Sequence, residues 1–240
     1  MTDHIVSSFD DELKDLAVKI TRMGGHAEKS LIDATYALHR HDADLAMRTI
    51  KADEQIDQLE HEIEEQTIVM IAKRQPMAAD LREIMAAIKL SADLERIGDL
   101  AKNIAKRAVA IQSQAGDKKL VLGIEYMSRI TSEQLKDVLD AFIQRDVQKA
   151  LRVWKRDSEI DAMYTSIFRE LLTYMMEDTR NITYSTHLLF AAKNIERIGD
   201  HATNIAETIY FLCEGEPLRE DRPKQDASSY TPADYEPAAS

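Results

Sequence analysis

The chain has 240 residues, 44% of them hydrophobic, with a formal net charge of −12. That is enough apolar residue for a sizeable core, and too much negative charge for a nucleic-acid partner, whose phosphates repel an acidic surface. No apolar run approaches the roughly 20 residues that span a bilayer, the N-terminal MTDHIVSSFDDELK has acids where a signal peptide needs an apolar stretch, and the single cysteine, Cys213, excludes an internal disulfide.

These features point to a cytoplasmic protein with no direct membrane insertion. Composition also points to helices: of 7 Gly and 5 Pro, only Pro76 among the prolines interrupts the body of the chain. Apolar residues recurring every 3.6 positions predict six long helices, roughly 9 to 40, 43 to 73, 77 to 113, 117 to 143, 147 to 177 and 180 to 213. Asp42 and Asp146 are candidate N-caps after the first and fourth helices. Pro76 stands where the third helix should begin, a position that accepts proline. The polar stretch Gln112 to Lys119, with Gly116, is the expected joining turn. From Glu214 to Ser240 the chain is rich in Pro, Ser, Asp and Ala, and reads as a disordered tail with no core role.

The two sets of three helices are copies of one another. Glu-Arg-Ile-Gly-Asp occurs at Glu95 to Asp99 and again at Glu196 to Asp200, each followed by Asn-Ile-Ala. His41 to Asp57 likewise aligns with Arg145 to Asp161, pairing Asp53 with Asp157 and Asp57 with Asp161. The chain therefore reads as a tandem duplication, all-α, forming two pseudo-symmetric three-helix bundles over 5–113 and 117–213 with a tail over 214–240. Each copy places two carboxylates one helical turn apart on two segments: Asp53/Asp57 with Glu95/Asp99, and Asp157/Asp161 with Glu196/Asp200. Carboxylates so paired are able to hold a cation between them.

On a wheel of about 100° per residue, Glu95 and Asp99 lie roughly 140° to 180° from the apolar stripe of Leu94, Ile97, Ala101 and Ile104, and so face outward. Asp53, Asp57, Glu60 and Glu64 form an acidic ridge on the flank of the second helix, and Glu60 and Glu64 are candidates for additional ligands. In the second copy Tyr164 and Phe168 replace Glu60 and Glu64, so that site is expected to be less negative. Each pair also flanks a mid-helix glycine, Gly98 or Gly199, which costs about 1 kcal/mol relative to alanine and points to the close approach of a neighbour. His61 and His201 are candidates to add a nitrogen ligand.

The segment Arg74-Gln75-Pro76-Met77-Ala78-Ala79-Asp80-Leu81-Arg82, with Asp93-Leu94-Glu95-Arg96-Ile97-Gly98-Asp99 and its repeat Asn194 to Asp200, closely resembles the PhoU family of phosphate-specific transport accessory proteins. The resemblance covers about residues 5 to 213. It implies that the eight paired carboxylates form multinuclear sites for divalent or trivalent metal ions, with iron, Mn, Mg or Zn as candidates. It also implies a negative regulator rather than an enzyme. Such a protein couples the high-affinity phosphate importer, through its ATPase subunit, to the sensor histidine kinase of the phosphate two-component system, and restrains phosphate uptake. A homodimer peripheral to the inner membrane through its protein partners is the implied state. The RQPxAxDLR segment has no counterpart in the second copy, where Glu177-Asp178-Thr179-Arg180-Asn181 stands.

Two other readings remain at this stage. A carboxylate-bridged di-iron or iron-storage bundle is also helical and acid-rich, but it places Glu-x-x-His on inward faces, and this sequence contains no Glu-x-x-His. A helical adaptor without metal is the other.

Overall fold

The computed structural model describes residues 2–113, 118–220 and 222. Among these the chain is helical and carries no strand: α1 (Thr2–Arg40), α2 (Ala43–Ala52), α3 (Glu54–Arg74), α4 (Ala79–Ile111), α5 (Lys118–Gln144), α6 (Val147–Lys155), α7 (Asp157–Glu177), a 3-10 turn at Thr179–Asn181, and α8 (Ile182–Glu214). Two matching caps organise the repeats. Asp42 accepts a hydrogen bond from the Leu45 amide and Asp146 from the Lys149 amide, both at 2.9 Å, which satisfies one orphan donor at the start of α2 and of α6.

The six expected helices are present, but the second and fifth are each broken once. At the first break the ladder tightens, with Ile56 N–H donating to the Asp53 carbonyl at 2.8 Å; at the second, Glu159 N–H donates to Arg156 at 3.1 Å. Gln134 of α5, fully buried, donates to the Arg156 carbonyl at 3.2 Å and so meets a need that the break creates. Pro76 does not open the third helix. It lies in a loop between Gln75 and Ala78, both at φ 49°, and α4 starts three residues later, at Ala79. Within the joining turn, residues 114–117 fall outside the described residues.

In the first half α1, α2, α3 and α4 pack together; in the second, α5, α6, α7 and α8 do so. The halves meet where α4 packs on α8 and α1 on α5, and their apolar faces merge into one core from Leu16 to Leu212. The expected tail over 214–240 departs from its reading where it is described. Leu218 packs against the core and Arg222 is half-buried, contrary to a segment with no core role, while 221 and 223–240 lie outside the described residues.

Gly98 and Gly199 mark the closest approach within each half. A Cβ on Gly98 would stand 2.7 Å from Ile56 Cδ1 and 3.1 Å from Asp53 Oδ1, and one on Gly199 would stand 2.7 Å from Ile160 Cδ1. Ile56 and Ile160 are fully buried and have no free space to turn into. Gly98→Ala is therefore expected to destabilise by about 1–3 kcal/mol, although alanine is the better helix former. The decisive measurement is a double-mutant cycle by chemical denaturation. Ile56→Val alone should cost about 1 kcal/mol, yet become neutral or stabilising in the Gly98→Ala background, because the methyl it deletes is the one that clashes.

Candidate functional site

The breaks at 53 and 156 and the glycines on α4 and α8 bring the predicted acids to two helix–helix grooves. In the first, Asp53 at the α2–α3 break faces Asp99 of α4, and Lys102 reaches between them. Its Nζ donates to Asp53 Oδ2 and, at 2.6 Å, to Asp99 Oδ1. Arg96 flanks the same acids, with Nε 3.4 Å from Glu95 and Nη1 3.3 Å from Asp99. Burial first, and then the charge of Glu64, hold the Glu60 carboxyl above its usual range, and the charge of Glu60 contributes in turn to the rise at Glu95, while Asp57 and Glu64 remain exposed at the rim.

In the second groove Asp157, at the start of α7, faces Asp200 of α8. Arg222 lies between them, with Nε and Nη2 at 2.8 and 2.9 Å from Asp157 and Nη2 2.6 Å from Asp200. Thr203, at the position equivalent to Lys102, donates to Asp157 at 3.0 Å. Lys193 donates to Glu196 Oε1 at 2.8 Å and stands 4.7 Å above the Tyr164 ring, where Glu60 stands in the first copy. Glu196 Oε2 is buried and has no hydrogen-bond partner among the described residues. Burial raises the Glu196 pKa against the pull of Lys193, and the charges of Asp200 and of the buried Asp161 add to the rise.

The outward reading of Glu95 and Asp99 does not carry over to their counterpart Glu196 or to the acids that face them. Asp53, Asp157, Asp161 and Glu196 are at most 5% exposed. The wheel treats each helix alone, whereas the glycines draw α3 onto α4 and α7 onto α8 until the groove walls cover the carboxylates. Neither histidine joins a groove: His61 pairs with Glu65 in solvent, and His201 holds Asp93 of α4 at 2.8 Å. Among the described residues no three acidic, histidine or cysteine side chains are arranged as a ready ligand set. What each groove holds is a side-chain cation joining carboxylates of two helices, the ammonium of Lys102 between Asp53 and Asp99 or the guanidinium of Arg222 between Asp157 and Asp200. The all-oxygen donor set around these cations is of the kind that suits a hard cation. The chemistry fits a metal once Lys102 or Arg222 swings aside.

Lys102 was legible in sequence, three residues after Asp99 on the same face; Arg222 gave no signal, because nothing in the tail pairs with the repeat.

The family model of the PhoU domain matches residues 20–108 and 124–209, one match over each half. The chain belongs to the PhoU family. It is 55% identical over 226 residues to the phosphate-specific transport system accessory protein PhoU homolog of Rhizobium meliloti, covering 94% of this chain and 95% of that one. To the Escherichia coli phosphate-specific transport system accessory protein PhoU it is 42% identical, covering 91% and 90%. The crystal structure of PhoU from Pseudomonas aeruginosa superposes with a TM-score of 0.84 at 38% identity, over 87% of this chain and all of that one. PhoU from Streptococcus pneumoniae, the phosphate transport system regulatory protein, gives 0.81 at 27% identity, over 88% and 100%. These PhoU neighbours share the all-helical, doubled architecture described above.

The electrostatics of the first PhoU groove are those of crowded carboxylates. Burial first, and then the charge of Asp99, raise the Glu95 pKa from its ordinary 4.5 to about 7. Burial raises Asp53 as well, against the pull of Lys102. Burial works against charge on Lys102, but its bonds to Asp53 and Asp99 outweigh that, and its pKa rises. Because the folded-state pKa of Glu95 is raised, the folded chain keeps a proton that the unfolded chain has lost. The resulting stability is complete below pH 4.5 and is lost as pH rises through about 7. Glu95→Gln, which cannot ionise, is expected to melt a few degrees above wild type at pH 8 and level with it at pH 4.

Proposed function

We propose that this protein is a negative regulator of the phosphate-starvation response, an adaptor that couples the high-affinity phosphate importer to its sensor histidine kinase and restrains phosphate uptake. The observation that carries this reading is near full-length similarity, in both halves, to phosphate-specific transport system accessory proteins. The adaptor acts from the cytoplasm, as a homodimer, and reaches the membrane by contacting the importer's ATPase subunit and the kinase. No helix among the described residues is long and apolar enough to cross a bilayer, and an acidic surface is repelled by an anionic leaflet, so protein contacts are the remaining route. Such an adaptor works by binding one state of its partner better than another. A preference of about 2.7 kcal/mol suffices for a hundredfold shift in population.

Metal binding belongs to the same reading. The eight carboxylates Asp53, Asp57, Glu95, Asp99, Asp157, Asp161, Glu196 and Asp200, with Glu60 and Glu64 at the first rim, hold divalent or trivalent cations, one site per half, and the first site is tighter. Bridging of two acids by one side-chain cation in each groove supports this. It also supports the adaptor without metal, since both grooves are already neutralised in part from within.

The regulatory role is tested with a phosphate-starvation reporter in a strain lacking this protein. In high phosphate the reporter is expected to be on, and complementation should switch it off; normal repression in the deletion strain would overturn the assignment. The cation sites are tested separately by melting with and without Mn or Fe. Metal should raise Tm by linkage, and Asp53→Asn with Asp99→Asn should remove the larger part of the rise. Identical melting curves would leave the acids a purely structural role.

A further inference from the structure

The two grooves are closed by cations of different origin. Lys102 stands on α4 itself, three residues from Asp99, and cannot leave the groove by more than a rotamer change. Arg222 comes from beyond the end of α8, 22 residues after Asp200. The segment that carries it is held at three points. Gly215 caps α8 in the left-handed conformation, donating to Phe211 at 2.9 Å, with Arg82 of α4 lying against it. Pro217 and Leu218 then wall a cleft of about 520 Å³ between α4 and α8, opposite Asp93 and Glu207. Last, the Arg222 guanidinium, its side chain only 17% exposed, spans Asp157 in a two-pronged pair and reaches Asp200.

We propose that Arg222 is a built-in competitor for the cation of the second groove, so that a metal ion entering there displaces it and frees residues 215–220 and Arg222 from the body of the protein. The inference rests on the cation-binding reading above. Asp157, 2% exposed, and Asp200 are two of the four acids on which that cation depends, and they bind the guanidinium through the same oxygens a metal would use. An oxygen suited to an incoming ion is Glu196 Oε2, buried, without a hydrogen-bond partner among the described residues, and within electrostatic reach of Asp200 and Asp161. Thr203, unlike Lys102, brings no charge. Arg222 is the cation bonded to both Asp157 and Asp200, whereas in the first groove that place is taken by Lys102 of α4 itself. The first groove is thus gated by a side chain alone, and the second by a segment whose release changes the surface that a partner meets.

The test uses the full chain, wild type and Arg222→Gln, with Mn as the probe. Without metal, backbone hydrogen exchange over 215–222 should be at least several-fold faster in Arg222→Gln. Saturating Mn should bring the wild-type segment to the same fast exchange and leave the variant unchanged. By equilibrium dialysis both proteins should bind Mn at two sites, with the second-site affinity raised about tenfold in Arg222→Gln and the first unchanged. Equal exchange in the two metal-free proteins overturns the proposal, as does protected exchange in wild type with both sites filled. Failure of the underlying reading looks different: no Mn binds to either groove of either protein, whereas one Mn per chain in Arg222→Gln overturns the second site alone.

Discussion

Contact of α4 with α3 at Gly98, and of α8 with α7 at Gly199, is the constraint on which the rest of the molecule depends. With no Cβ in the way, Ile56 and Ile160 press directly onto the facing helix, and the acids on either side of that contact are carried with them. A helix separation wider by one methyl group would leave Asp53 and Asp157 as surface carboxylates with ordinary solvation. Instead they lie at 4% and 2% exposure, where an unpaired charge is costly and a cation is required nearby. The glycine therefore creates the demand that Lys102 and Arg222 meet. Its helix-propensity penalty of about 1 kcal/mol is small beside the packing of two buried isoleucines.

Duplication supplied both grooves, and the differences between them arise from a few substitutions. Lys102 is answered by Thr203, Glu60 by Tyr164, Glu64 by Phe168 and Ala92 by Lys193. Each change lowers the negative charge of the second groove or moves its compensating cation elsewhere. Tyr164 and Phe168 pack ring to ring at 6.3 Å, and Lys193 covers Tyr164 while binding Glu196. An acidic rim in one half has become an aromatic and cationic one in the other. The frameworks stay alike, down to Asp42 and Asp146 capping matching helices and His41 and Arg145 sharing a φ of 54°.

Helix existence was legible because it rests on long apolar periodicities, and the caps because aspartate after a helix end has few other uses. The breaks at Asp53 and Arg156 were not legible. Neither involves Gly or Pro, and both residues keep right-handed helical dihedrals, so only the switch to shorter hydrogen bonds reveals them. Pro76 misled for a related reason: proline suits a first helical turn, but two consecutive reversals at Gln75 and Ala78 delay the helix. For the site, sequence spacing identified which carboxylates belong together, since repeats preserve order. It did not give their burial, which depends on how far neighbouring helices close, nor the role of Arg222, which lies in a stretch whose composition reads as solvent-exposed.

The grooves are also joined to each other. Asp93, two residues before Glu95, receives His201, the residue after Asp200, at 2.8 Å, and Asn204 at 3.4 Å. The contact ties the two ERIGD helices together at the interface between the halves, so neither helix can shift along its axis without disturbing the other. Packed helices accommodate such shifts in discrete steps rather than continuously, because the core between them is close-packed. Linkage adds a sign rule: whatever favours one arrangement of the α4–α8 pair, at either groove or at a partner surface, is favoured by it in return. The shared helix pair is therefore the element through which the two halves act as a unit.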